Sequence, residues 1–86
     1  MSEKRVGIVG IFVNDTEKFK QINDILFEYS HLIKGRLGLP FKNHNLRVIS
    51  LVFEGTTDEL GSFTGKIGQF KGVEVKTLLS KEVKYD

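Results

Sequence analysis

Residues 6–13 and 46–53 are apolar on both parities of an extended chain, and this pattern narrows the fold more than any other feature. In the first run Val6, Ile8 and Phe12 alternate with Val9, Ile11 and Val13. In the second, Leu46, Val48 and Val52 alternate with Ile49, Leu51 and Phe53. Successive side chains of a strand point to opposite faces, so a strand apolar on both is covered on both and lies inside a sheet. The chain has 86 residues, 40% of them hydrophobic, enough for one small core and no second. Edge strands and a cover must come from what is left.

The intervening segments supply them. Residues 14–29 predict a helix: Phe19, Ile22, Leu26 and Tyr29 recur along one stripe and Ile25 widens it. Asn14 stands at the cap position with Glu17 three residues on. Residues 31–41 predict an edge strand, with Ile33, Leu37 and Leu39 on one parity, Lys34 and Arg36 facing out on the other, and Pro40 at its end. Lys42, Asn43, His44 and Asn45 make a turn. Thr56 followed by Glu59 is a capping box that opens a second helix, with Leu60, Phe63, Ile67 and Phe70 on its buried stripe. Gly61, Gly65 and Gly68 form a row at helical spacing. Each costs about 1 kcal/mol against alanine, which predicts close approach of another backbone or a frayed helix. Residues 73–79 alternate on one side only and predict a second edge strand. Residues 80–86 read as a polar tail.

The order strand, helix, strand, strand, helix, strand, with right-handed crossovers, defines an α+β ferredoxin-like βαββαβ sandwich over residues 1–86. Its antiparallel four-stranded sheet has the order 4-1-3-2, with two helices on one face. The first and third strands are then central, as their two-sided pattern requires. The helix-free face stays apolar, which predicts a homo-oligomer, a dimer or a tetramer.

Thirteen Lys and Arg oppose eleven Asp and Glu for a net charge of +2. They interleave without a basic stripe, so direct nucleic-acid binding is not expected. An RNA-recognition module shares the topology, but residues 46–53 carry one late aromatic, Phe53, a poor stacking platform. The absence of cysteine removes disulfides, cysteine zinc sites, thiolate nucleophiles and cysteine-held iron–sulfur clusters. The longest apolar run is too short to span a bilayer, and no cleavage region follows the N-terminus. The expectation is a cytoplasmic protein without a membrane partner.

The stretch from Gly61 to Lys66 lacks the spacing and the Ser or Thr of a phosphate loop and falls inside a helix. No serine is spaced with a histidine and an acid for nucleophilic catalysis. His31 and His44, the two histidines, open a strand and sit in a turn, so no metal site and no cofactor are expected. Ser50 is the one polar group central enough to serve an enzyme pocket.

Taking the first and third strands to run parallel brings Asn14 and Asp15 together with Gly55, Thr56 and Thr57 at one end of the sheet. Helix N-termini there would offer backbone N–H groups to a small anionic effector, and Arg36 of a neighbouring subunit would add charge. Glu17, Asp58 and Glu59 fill the same first turns and oppose an anion, so a capped structural end is the competing reading.

Gly35-Arg36-Leu37-Gly38-Leu39-Pro40, Val48-Ile49-Ser50-Leu51-Val52, Gly55-Thr56-Thr57-Asp58-Glu59, Thr64-Gly65-Lys66-Ile67-Gly68 and Gly72-Val73-Glu74-Val75-Lys76-Thr77 follow one another in that order. Together they resemble the iron-only hydrogenase system regulator family, over about residues 5–81. The resemblance implies a ferredoxin-like domain related to ACT domains and to the C-terminal domain of the nickel-responsive repressor, with a regulatory role beside hydrogenase maturation. The chain departs from the nickel-responsive relatives in lacking cysteine, and from DNA-binding relatives in lacking a ribbon or helix-turn-helix region. It has Thr16-Glu17-Lys18 after Asp15 where amino-acid-binding ACT domains often show Asp-x-Pro-Gly. The expectation is a non-enzymatic regulatory module, involved in transcriptional regulation, with a small-molecule effector or a regulatory protein partner. The alternatives are a small oligomeric ferredoxin-like enzyme and a bare protein-interaction subunit.

Overall fold

A computed structural model describes residues 3–85, with side chains as far as Lys81. The order is β1 (Glu3–Val13), α1 (Phe19–Glu28), β2 (Ile33–Phe41), β3 (Leu46–Gly55), α2 (Thr57–Gly68) and β4 (Val73–Tyr85), with short 3-10 turns before α1, β2 and β3. One antiparallel sheet runs β2-β3-β1-β4, the expected order seen from its other edge. Val9, Ile11 and Val13 of β1 and Ile49, Leu51 and Phe53 of β3 are buried beneath Ile22, Leu26, Leu60, Phe63 and Ile67 of the helices. The two-sided strands are therefore central, and their helix-side parity forms the floor of the core. Phe63 joins the layers, with its ring 5.5 Å from Phe53 and edge-on to Tyr29 at 5.2 Å.

The capping box at α2 forms as its sequence requires: Thr56 Oγ1 accepts from the Glu59 N–H at 3.0 Å, and Glu59 Oε1 accepts from the Thr56 N–H at 2.8 Å. Gly55 makes room for it, since a Cβ there would lie 3.0 Å from Glu59 Oε1 and 3.0 Å from the Phe53 ring. At the other helix the cap is Asp15, not Asn14: Asp15 Oδ1 accepts from the Glu17 N–H at 3.0 Å. The Asn14 N–H instead donates to the Gly72 carbonyl at 2.8 Å. Asn14 is thereby bound to the strand at the sheet edge, and the first helical turn begins one residue later.

Three further expectations are corrected. Residues 80–85 are strand, because β4 continues along β1 to the Glu3–Tyr85 pair; Asp86 lies outside the described residues. Val83 and Tyr85 do alternate with Glu82 and Lys84, but so short a run among charged residues reads as polar without its partner strand. Gly61, Gly65 and Gly68 meet no close backbone: an added Cβ would find open space at each, and α2 is continuous through them. Finally, β2 carries a bulge at Lys34, between the Ile33–Phe53 and Gly35–Val52 pairs. The extra residue shifts the parity of everything after it. Arg36 now sits opposite buried Leu51 on the helix side, and Leu37 and Leu39 sit opposite Ser50 and Val48 on the other.

Candidate functional site

Asn14 and Asp15 do not meet Thr56 and Thr57. β1 and β3 pair antiparallel, with Val13 opposite Arg47 and Arg5 opposite Gly55. The end of β1 and the end of β3 are therefore opposite ends of the sheet. The reason is directional: a helical crossover returns the chain in the same direction, and the β2–β3 hairpin then reverses it. The expected convergence of two helix N-termini does not occur. Thr56 is committed to the capping box, and Asp15 to its own turn. Asp15 also lies against the exit of α2, where Gly72 has a φ of +81° and an added Cβ would come within 3.1 Å of Asp15 Cβ.

Arg36 is the predicted residue that the fold places in a concavity. The bulge turns its side chain toward α1, where the guanidinium Nη2 donates to Asn23 Oδ1 at 2.9 Å. Between α1 and β2 lies a cleft of about 540 Å³, lined by Asn23, Leu26, Phe27, Ser30, Ile33 and Arg36. Leu26 and Ile33 form its apolar base, at the margin of the core. Phe27 is 81% exposed, a large aromatic side chain with almost no cover from its own chain. A smaller cleft of about 260 Å³ lies at the opposite end of the sheet, between Thr16 and the β2–β3 connection, with Lys42, Asn45 and Arg47 in its wall. There Arg47 is already engaged, its guanidinium 4.0 Å from the centre of the Phe19 ring.

The helix-free face is a second feature. Ile8 of β1, Leu37, Leu39 and Phe41 of β2, Val52 of β3 and Leu78 of β4 are all exposed on it. Among the described residues two opposite charge pairs lie on it, Glu74 with Lys76 at 3.5 Å and Lys34 with Glu54 at 3.8 Å. Ser50 also lies on this face, opposite Gly10 and Leu37, so it does not point into a pocket between sheet and helices. Among the described residues no group of three His, Cys, Asp or Glu could hold a metal ion, and no helix is long and apolar enough to cross a membrane.

The arrangement is that of a ferredoxin-like, ACT-like domain. The family profile that matches residues 5–77 is the TM1266-like family, described as "Iron-only hydrogenase system regulator, putative". The chain belongs to this family. It is similar to the solved structure of the uncharacterized protein TM1266 from Thermotoga maritima, with 37% identity and a TM-score of 0.86 over 91% of this chain and 99% of that one. It shares its fold with the ACT domain of GTP pyrophosphokinase from Chlorobium tepidum, at 16% identity and a TM-score of 0.63 over 100% and 96% of the two chains. The fold is also that of CPII from Thiomonas intermedia K12, solved bound to ADP, AMP and acetate, at 15% identity and a TM-score of 0.51 over 95% and 94%. No curated protein matches the chain.

Proposed function

We propose that this chain is a non-enzymatic regulatory module of the iron-only hydrogenase system, working in the cytoplasm as a homo-oligomer whose subunits meet through the helix-free sheet face. It influences transcription through a small-molecule effector or a protein partner, not by holding nucleic acid itself. The observation that carries the reading is the open face: an apolar surface on a domain of the regulator family. Contiguous apolar patches on small domains mark contact surfaces. The two opposite charge pairs among the described residues favour a second copy over a polyanion, since each cation there already has an acid beside it. Ser50, the candidate for an enzyme, lies on that same face between Gly10 and Leu37, away from any cleft between sheet and helices.

Sedimentation of the full chain at roughly tens of micromolar tests the assembly, because an oligomer at this concentration is distinguishable from a monomer by mass action. The expected result is a multiple of 9.8 kDa. A parallel melting series with metals, nucleotides, amino acids and redox cofactors tests the effector. A monomer whose melting no compound shifts would overturn the proposal.

A further inference from the structure

We infer that the cleft between α1 and β2 is a binding site for a small organic carboxylate with an aromatic or apolar body, held by Arg36. This deepens the reading of the chain as an effector-binding module and rests on it.

The cleft combines features that neither packing nor solvation of a helix–strand edge requires. Its volume of about 540 Å³ lies in the usual range for small-ligand sites, roughly 300–1,000 Å³. Its base is apolar, Leu26 and Ile33, and its rim holds three hydrogen-bonding side chains, Asn23, Ser30 and Arg36. Among the described residues no carboxylate lines it. The acids nearest in sequence on α1 are already engaged: Asp24 pairs with Lys20 at 3.4 Å and Glu28 with Lys66 at 2.8 Å. Among the described residues no ion pair involves Arg36.

Asn23 fixes one edge of the guanidinium by accepting from Nη2, and leaves the remaining N–H groups for a ligand. A guanidinium presents paired donors that match a carboxylate better than a point charge does. The Lys34 bulge is what brings this cation to the helix side; without it Arg36 would face the open surface. Phe27, 81% exposed on the same wall, offers a ring face for the ligand's body. The beginning of β2 thus supplies a cation, α1 supplies an aromatic, and the apolar base lies between them.

The test uses the full chain and benzoate, with benzamide as the uncharged isostere, followed by amide correlation spectra. Benzoate is expected to shift the signals of Asn23, Phe27, Ser30 and Arg36 in a saturable way, and benzamide to bind at least about tenfold more weakly, since the carboxylate supplies a charge-assisted bond. Arg36→Gln is expected to lower benzoate affinity by roughly tenfold or more. Phe27→Ala, which removes no core contact, is expected to weaken it while leaving the rest of the spectrum in place. Equal binding of benzamide, wild-type affinity in Arg36→Gln, or no benzoate shift in the cleft would overturn the assignment. So would cleft signals that move with protein concentration alone, because a second copy would then be the occupant. If benzoate fails while another compound raises the melting temperature, the cleft assignment falls and the effector-module reading stands. If no compound raises it, both fall.

Discussion

The Tyr29 phenol oxygen lies 2.8 Å from the Ser62 hydroxyl, tying the end of α1 to the first turns of α2 just above the Phe63 ring. Tyr29 is 9% exposed, so the bond holds its phenol in place at the margin of the core. Tyr29→Phe and Ser62→Ala are each expected to destabilise by about 0.5–1.5 kcal/mol. Because both remove the same bond, the double variant should lose less than the sum of the two. Denaturant unfolding of all four proteins measures this, and strict additivity would rule the bond out as a contributor.

Lys66 sits beside that pair, 2.8 Å from Glu28 Oε2 and 5.1 Å above the Tyr29 ring. Its hydrogen bond to Glu28, and then its contact with Tyr29, raise its pKa above the ordinary 10.5. A cation whose pKa is raised by folding stabilises fully below its unfolded value and loses that contribution as pH climbs through the folded one. The difference in melting temperature between the wild type and Lys66→Met should therefore stay constant through neutral pH and shrink above about 10.5. A difference that grows with pH would contradict the sign.

The glycines of α2 and of its exit should respond in opposite directions. Gly61 and Gly65 are exposed, with open space for a Cβ, so alanine at each is expected to stabilise by about 0.4–1 kcal/mol through the unfolded chain and helix propensity. Gly72 has a φ of +81° and Asp15 Cβ at 3.1 Å from an added Cβ. Gly72→Ala is expected to cost about 1–2 kcal/mol for the left-handed backbone alone. Thermal melts of the three single variants decide it.

Leu37 and Val52 lie on the open face, one on the edge strand and the other central. Replacing both with lysine puts unpaired charge into the proposed contact without touching the core. The expected sedimentation result is a shift to the 9.8 kDa monomer, with the far-ultraviolet dichroism of the wild type. An unchanged oligomer would move the contact to another surface.

The architecture could be read from residue pattern where burial and pattern coincide. β1 and β3 alternate between two apolar parities because both faces matter, and Thr56 with Glu59 announces a helix start because the reciprocal bonds need those side chains at that spacing. The candidate site was not accessible in the same way. Arg36 lies in the cleft because of one unpaired residue at Lys34, and a bulge in an exposed edge strand leaves no mark on composition or periodicity. The cap moved from Asn14 to Asp15 for a similar reason: either side chain suits the role, and a tertiary bond to Gly72 decides. The expected meeting of Asn14 with Thr56 failed on direction alone, which the order of crossover and hairpin already determines.

The Lys34 bulge also bears on how the chain tolerates change in length. Insertions and deletions are ordinarily harmless in connections and ruinous in core strands, yet here a single codon lies at a position that is neither. Loss of Lys34 would close the bulge, because Ile33 and Gly35 already face the consecutive residues Phe53 and Val52, and the β2–β3 register would run on unbroken. Ile33 and Arg36, three residues apart across the bulge, would become two apart and share the helix side by plain alternation, with Leu37 still on the open face. A chain one residue shorter at this point would thus keep both its charged cleft and its greasy back, so the strand can lose length here without exchanging its surfaces.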